Sequence, residues 1–546
     1  MESFITTKTA MLPIASMPEL LLILLILASA AVHSQTEKRE FLALKEEEME
    51  LQLLDRELIS NLMEYAGELQ SKVEVLKRFS EATRTPLQAA KGREEEYLSN
   101  PLHSFRLIRH MHEDWRHVEK FMRQPVGQDQ IKFIKEMARE FPSKEDADDA
   151  TEAIYRIIRT YDVPPEDLVQ GLIDGVQYNS GSISAIDCFS LGTLHFEWGK
   201  YDKAVHWLNH SLTLVKPVYK SVYNVLGFTT SEVHMLLARC YVEMDQEEDA
   251  RRTLTSHPTL AQHSERLLTL YNNTRHVPVS GDLQPLLPDK FNQMCRSSHQ
   301  NKPSRLHCRY NATTSPFLRL APLRMEELSL DPYIVVYHNV LSDAEIAKVE
   351  QIAEPLLEHS SVYVAEVKKA IKSKVRTALG AWIPHHEMDA SGWTVLQGLY
   401  RRIRDITGLN INEQQHLQII KYGYGGHYDP HFDYFNATVK NTLASGDRMV
   451  TVLFYLNDAR HGGSTVFTHL QLKVPSERGK VLFWYNMRGE SHELDTQTVH
   501  GACPVIAGTK SVMSCWIHEL DQMFIQPTYR PNNRTFFDEL VVKKTN

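Results

Sequence analysis

At 546 residues the chain is too long for one compact domain. Its 60 basic and 69 acidic residues leave a formal charge of −9, and no basic stripe offsets it, which excludes a nucleic-acid partner. Six cysteines are too few for a disulfide scaffold, although they can form isolated bridges.

The first element is an apolar run. Leu20–Val32 (LLLILLILASAAV) is preceded by Lys8 and followed by small residues ending at Ser34. A bilayer span takes about 20 apolar residues, so the pattern predicts a secretory signal over 1–34 and a lumenal mature chain without a membrane span. Five Asn-x-Ser/Thr sequons, at Asn209, Asn272, Asn311, Asn436 and Asn533, suit glycosylation there.

Residues 35–175 form an N-terminal helical region. Leu51, Leu54, Leu58, Leu62, Tyr65, Leu69, Val73 and Leu76 recur at steps of three and four, which predicts one apolar face of a long helix. Set in a charged sequence (KEEEMELQLLDRE), that face needs a partner, either a neighbouring helix in an internal hairpin or a second subunit in a coiled coil.

Residues 187–212 carry the small and aromatic spacing of a tetratricopeptide (TPR) helix pair, with Gly199 at the turn and Ala204 in the second helix. Asp245 and Ala250 repeat those places in 231–254, after an inserted segment at 215–230. A TPR-like helical domain is therefore expected over 176–275, with a groove between its helices. Aligning the second repeat puts Leu236, Arg239 and Val242 at groove positions where aromatic residues would be expected. A linker over 276–330 holds Cys295 and Cys308 around a basic, polar segment, and in a secreted chain that pair is the best bridge candidate.

From 331 to 546 the periodicity changes. Short apolar runs, LQIIKY, RMVTVLFYL, STVF, KVLFWY and SVMSCWI, alternate with turn signals SGD, HGG, ERG and AGT, as a β domain requires, with its core over 410–522. Inside it, GGHYDPHFDYF contains His431-Phe432-Asp433. Residues i and i+2 of a strand share a face, so the pair offers one imidazole and one carboxylate to a single metal. His500, opening VHGACPVIAG, can supply a third ligand, and two histidines with one carboxylate are the facial set of non-heme iron oxygenases. Lys510 follows in the next strand as a fixed cation for the far carboxylate of a chelating 2-oxo acid. Each element alone is cheap in a chain with 26 histidines, where a lone histidine is more often packed or at the surface. The joint order carries the assignment.

YGYGGHYDPHFDYF (422–435), RMVTVLFYLND (448–458), GGSTVF (462–467), GKVLFWYN (479–486) and HGACPV (500–505) occur in an order that resembles the catalytic domain of collagen prolyl 4-hydroxylase alpha subunits. The resemblance implies a multidomain α+β protein ending in a double-stranded β-helix of the jelly-roll type. It implies that His431, Asp433 and His500 ligate iron(II), that Lys510 pairs with the C5 carboxylate of 2-oxoglutarate, and that His518 in CWIHE assists co-substrate binding. Tyr422 and Thr451 align with hydroxyl groups near the co-substrate, with core packing the alternative. Trp484 and Tyr485 could line the mouth of the site, although strand aromatics are usually core.

The implied activity is that of a procollagen-proline 4-dioxygenase, converting peptidyl proline in X-Pro-Gly contexts to 4-hydroxyproline with iron(II), 2-oxoglutarate, dioxygen and L-ascorbate. The family further implies homodimerisation of alpha chains, an α2β2 tetramer with protein disulfide isomerase in the endoplasmic reticulum lumen, and a TPR-like domain that binds collagen-like or proline-rich peptide. It also matches the Cys295–Cys308 bridge. Two departures stand out. The groove lacks part of its aromatic set, and the usual partner position of Cys503 is occupied by Thr528. Cys515 could substitute if its Cα lies within about 7 Å of that of Cys503. Otherwise both are buried thiols, like Cys188 and Cys240. The altered groove motivates a second reading, the same chemistry on a non-collagen secreted protein or a lysyl side chain. A non-catalytic peptide-binding subunit is a third, against which the intact His-x-Asp, His and Lys set counts.

Overall fold

The computed structural model describes residues 45–178, 182–278, 289–297, 305–364, 369–372, 375–384, 388–411, 417–435, 445–488 and 493–522. The apolar run at 20–32, sequons Asn436 and Asn533, and Thr528 lie outside the described residues. No helix among the described residues is long and apolar enough to cross a membrane.

The chain forms two compact units, and the first comprises Met49–Asp146. Its principal element is helix α1 (Lys45–Ala90), against which α2 (Trp115–Arg123) and α3 (Gln128–Met137) fold back. Lys72 Nζ donates to the Met122 carbonyl at 2.9 Å, Glu68 accepts from the Gly127 amide at 3.0 Å, and Phe79 meets Trp115 edge-on. The internal hairpin therefore exists. It covers only part of the expected stripe, since Leu51, Leu54, Leu58, Tyr65 and Leu76 are half-buried whereas Leu62, Leu69 and Val73 stay exposed.

The second unit begins at Ala147 and joins helices to sheets. Helix α4 (Lys144–Tyr161) leads into two helix pairs, α5 (Ala185–Glu197) with α6 (Tyr201–Leu214) and α7 (Thr230–Glu243) with α8 (Glu247–Ser256). Capping boxes start α5 at Ser184/Asp187 and α7 at Thr229/Glu232, and left-handed Gly199 and Asp245 make the turns within the pairs. Val242, expected on the groove, is instead core between the second pair and the helix that follows, because its side chain faces Leu254, Leu268 and Tyr271.

Nine antiparallel strands form the main sheet. In chain order they are β1 (Cys308–Asn311), β2 (Leu323–Leu330), β3 (Tyr333–His338), β4 (Glu358–His359), β5 (Leu379–Trp382), β6 (Gln418–Tyr422), β8 (Arg448–Tyr455), β11 (Val481–Tyr485) and β13 (Lys510–His518), in the spatial order β1-β2-β3-β11-β8-β13-β6-β5-β4. A four-stranded sheet comprises β7 (Tyr428–His431), β9 (Thr465–Phe467), β10 (Leu472–Val474) and β12 (His500–Ala502), ordered β7-β12-β9-β10. The segment expected as linker thus contributes β1 and β2 to the main sheet.

Strand alternation divides the core in two. Val450, Val452 and Phe454 of β8, with Phe483 and Tyr485 of β11, face helices α10 (Asp343–Ala353) and α11 (Ala390–Thr407). Leu453, Tyr455, Leu482 and Trp484 point the other way, onto Phe467, Leu472, Val474 and Ala502 of the small sheet. The layer between the sheets is where the chemistry-bearing residues gather. A third cluster joins the helical and β parts, packing Ile157, Tyr161, Leu191, Trp207 and Phe291 against Val466, Cys503 and Ile506.

The disulfide differs from expectation. Cys295 pairs with Cys503, with Cα atoms 5.7 Å apart, not with Cys308, which is exposed and free. The reason is packing. Helix α9 (Asp289–Arg296) lies on the small sheet with Phe291 against Gly501, which carries Cys295 to the end of β12, whereas Cys308 leaves on the edge strand β1. Cys515, like Cys188 and Cys240, is a buried free thiol. Asn311 is also not presented for glycosylation. It is 4% exposed, its amide donates to the Tyr337 hydroxyl at 3.1 Å, and its carbonyl oxygen accepts from Thr314. Asn209 and Asn272 are exposed on helices.

Candidate metal centre

Three candidate ligands converge between the sheets. His431 ends β7, Asp433 follows two residues later, and His500 opens β12, where it pairs with His431 across the ladder. Their ligand atoms all lie within 4.8 Å of one another. Nε2 of His431 and of His500 sit 3.5 and 3.8 Å from Asp433 Oδ1.

The tautomers follow from the backbone. Nδ1 of His431 donates to the Asp429 carbonyl at 2.8 Å, and Nδ1 of His500 donates to the Thr498 carbonyl at 3.0 Å. A carbonyl only accepts, so each Nδ1 carries a proton, and in the neutral ring Nε2 is the atom that presents a lone pair to the centre. The rings are held by aromatics, His431 by Tyr428 stacked at 3.6 Å and His500 by Trp484 edge-on at 4.8 Å. Burial would raise the Asp433 carboxyl, but the imidazoles and the Arg448 guanidinium outweigh it and hold the group well below the usual carboxylate range. Burial pushes His500 down to about 4, so the imidazole is neutral at physiological pH. One anion and two neutral nitrogen donors suit a divalent cation of borderline softness.

Of the groups that aim Asp433, sequence reasoning named Thr451 and Trp484 for other roles and missed Asn486. Thr451, from β8, donates to Asp433 Oδ2 at 2.7 Å, which turns the carboxylate so that Oδ1 faces the histidines. Asn486 donates to Thr451 Oγ1 at 2.9 Å, and Trp484 Nε1 donates to Asn486 Oδ1 at 2.8 Å. The chain Trp484–Asn486–Thr451–Asp433 is buried throughout. Thr451 therefore holds the ligand, and it also lines the cavity beside the triad.

A cavity of about 490 Å³ opens beside the triad. Lys510, Val512, Ser514 and Trp516 line it from β13, Thr451 and Leu453 from β8, Tyr422 from β6, and Arg376 and Arg448 from its flanks. Lys510 is 1% exposed, and its ammonium donates only to Thr465 Oγ1, at 3.2 Å, among the described residues. Tyr455 donates to the same hydroxyl at 2.9 Å. Burial without a counter-anion pushes the lysine down to about 7. A desolvated cation facing a cavity fits an anionic ligand.

Tyr422 lies beside Lys510, which sits 5.5 Å from its ring centre. Arg448, another residue missed from sequence, stacks on Trp516 at 3.8 Å and on Phe435 at 4.5 Å. Trp484 lines the cavity as the sequence allowed, but Tyr485, one residue on, faces the opposite core. His518 does not line the cavity. It ends β13, where Nδ1 donates to the Gly446 carbonyl at 2.9 Å.

Two family models match the chain, the prolyl 4-hydroxylase alpha-subunit N-terminal region over residues 46–175 and the 2OG-Fe(II) oxygenase superfamily over residues 417–518. Among curated proteins, a prolyl 4-hydroxylase subunit alpha-2 of Caenorhabditis elegans is 31% identical over 79% of this chain and 83% of its own length. A subunit alpha-2 of Gallus gallus is 29% identical over 87% of this chain and 92% of its own. A subunit alpha-1 of Rattus norvegicus is 28% identical over the same shares.

Proposed function

The chain belongs to the prolyl 4-hydroxylase alpha-subunit family, and from that premise we propose that it hydroxylates peptidyl proline in X-Pro-Gly contexts as a 2-oxoglutarate-dependent dioxygenase. The observation that carries this reading is the convergence of half-buried His431 with buried Asp433 and His500, with the anion-seeking Lys510 in the same cavity. Iron(II), 2-oxoglutarate and dioxygen together supply oxidative decarboxylation to succinate and carbon dioxide coupled to hydroxylation of a C–H bond, with ascorbate as the family's reductant. The residues supply everything else.

His431, Asp433 and His500 hold the metal, and with one anion and two neutral rings they leave its charge partly uncompensated for a dianionic chelator. Lys510 receives the far carboxylate, and Thr465 fixes the direction of its ammonium. Thr451 keeps one carboxylate oxygen of Asp433 away from the metal-facing side. Val512, Leu453 and Trp484 give the cavity part of its apolar wall.

The finer organisation is likewise proposed. The strand order suits a jelly-roll double-stranded β-helix, and the two helix pairs suit a TPR-like domain over 176–275 that presents peptide to the 331–546 oxygenase region. The exposed Leu62, Leu69 and Val73 support pairing of two alpha chains through 35–175. Protein disulfide isomerase as beta subunit, an α2β2 tetramer and the endoplasmic reticulum lumen follow from the family alone. Asn209 and Asn272 remain candidates for glycosylation, and His518 for an indirect part in co-substrate binding.

A second reading keeps the chemistry and changes the acceptor. Arg239, where the groove was expected to be aromatic, sits over Phe196 at 5.3 Å and Tyr271 at 5.9 Å. Both rings are themselves buried, so at this position the helix pair offers a cation and no open aromatic face, which favours a peptide other than a plain proline-rich helix.

The test is 2-oxoglutarate decarboxylation by the chain co-expressed with protein disulfide isomerase, with and without a Pro-Pro-Gly repeat peptide, followed by mass spectrometry of the peptide. Peptide-dependent succinate and one added oxygen on proline support the first reading. Succinate without stimulation by that peptide supports the second. Absence of succinate with iron present overturns both in favour of a non-catalytic subunit.

A further inference from the structure

The strands that carry the candidate ligands are gripped from outside by the helical part of the same unit. Buried Arg156 on α4 donates through Nε to the Gly425 carbonyl at 2.9 Å, across 269 residues of sequence. One helical turn on, the Tyr161 hydroxyl donates to the Pro504 carbonyl at 2.7 Å. On α9, Phe291 sits against Gly501, and Cys295 is bonded to Cys503.

Beyond the ladder that pairs His431 with His500, the two ligand segments meet a second time at Gly425. Its amide donates to the Val505 carbonyl at 2.7 Å, and the Val505 amide donates back to Gly426 at 3.1 Å. The turn that launches β7 toward His431 and Asp433 is thereby tied to the segment that leaves β12 after His500. Gly425 takes φ +64°, and a Cβ there would lie 2.5 Å from the Cβ of Ala153, so the turn rests directly on α4.

A buried guanidinium is a poor way to gain stability, since an apolar side chain of similar length often packs as well or better. Glu152, one turn earlier on α4, pairs with it only loosely, at 3.9 Å. What an apolar side chain cannot do is direct the Gly425 carbonyl. We propose that Arg156 is a positioning residue for the metal centre, setting through Gly425 the separation of the His431–Asp433 segment from His500, with Tyr161 as its counterpart on the His500 side. This rests on the metal-site reading above. Residues outside the ligand set that orient ligands typically change metal affinity by roughly 10–100-fold, and Arg156 acts by the same principle at one further remove.

The experiment is calorimetric titration of the full chain, assembled with its co-expressed partner, with manganese(II) under anaerobic, peptide-free conditions. It compares wild type, Arg156→Met, Arg156→Lys, Tyr161→Phe and a His431→Ala control. The iron(II) dependence of 2-oxoglutarate decarboxylation and the thermal midpoint are recorded for each. Expected are about tenfold weaker manganese binding in Arg156→Met, a smaller loss in Tyr161→Phe, partial recovery in Arg156→Lys, and a raised iron requirement with kcat changed less. Manganese affinity within twofold of wild type in Tyr161→Phe and both Arg156 variants, with only the thermal midpoint lowered, overturns the proposal. If Arg156→Met does not fold, Arg156→Lys and Tyr161→Phe decide by the same criterion. Binding that is unchanged in His431→Ala overturns the metal-site reading itself.

Discussion

Asp433 shows how a ligand is aimed by a residue 18 positions away. Thr451 gives its proton to one carboxylate oxygen, so removing that hydroxyl with Thr451→Val keeps the shape and frees the carboxylate to rotate. Metal affinity should fall roughly 10–100-fold with little loss of thermal stability, measurable by manganese titration. Lys510 makes a pH-dependent partner. Burial lowers it from its ordinary value of 10.5 to about 7, so above about pH 7 the co-substrate-free protein holds it neutral and anion binding must take up a proton. The KM for 2-oxoglutarate should therefore rise as pH increases above about 7, and Lys510→Arg should abolish that rise because a guanidinium stays charged. Stability runs with the opposite sense. Between about 7 and the unfolded value the unfolded chain binds the extra proton, so the co-substrate-free fold gains stability as pH rises through that window. Lys510→Ala should raise the KM for 2-oxoglutarate about ten- to a hundredfold while leaving metal affinity near wild type. The ligands and the lysine were legible because their spacing is local to strands. Asn486, Arg448 and the part Thr451 plays toward Asp433 were not, because these roles depend on which face of β8 and β11 meets the site.

At the scale of elements, the apolar runs translated directly into strands. LQIIKY became β6, RMVTVLFYL became β8 and KVLFWY became β11, each with the alternation that separates the inner layer from the helix-covered face. VHGACPVIAG did not become one strand, because Cys503 and Pro504 break it into two short segments that pair with different neighbours. Strands β1 and β2 were missed because CRYN is short and polar and the alternation of LRMEELSL breaks at Glu326-Glu327; β2 is recruited by pairing with β3, and β1 by pairing with β2. The contact of α4 with the Gly425 turn allows no side chain. Gly425→Ala should cost about 1–3 kcal/mol from backbone strain alone, with more from the clash with Ala153, and should lower the urea midpoint.

The whole molecule does not divide where periodicity changes. The helical and β parts share the cluster of Ile157, Leu191, Trp207, Phe291, Val466 and Ile506, so a piece beginning at residue 331 would expose that surface and lack Cys295. Such a piece should express insolubly or bind metal poorly, and one beginning near 147 should fold, a comparison read by soluble yield and manganese titration. The disulfide was illegible for the same reason. Nearness in sequence favoured Cys308, whereas the packing of α9 on the small sheet selects Cys503. A bridge closing 208 residues contributes about 5 kcal/mol in the chain-entropy model, so Cys503→Ser should lower the thermal midpoint markedly, and peptide mapping of the unreduced wild type should recover the Cys295–Cys503 pair.

The same bridge sets an order of events during synthesis. Cys295 and Cys308 leave the ribosome almost together, whereas at roughly 5–20 residues per second Cys503 follows on the order of 10–40 s later. Throughout that interval the only later-made thiol within reach of Cys295 is the wrong one. Correct pairing is then a matter of timing, with Cys295 kept reduced or exchangeable until β12 exists to receive it, and the closed bridge certifies that the strand bearing the last metal ligand has been made.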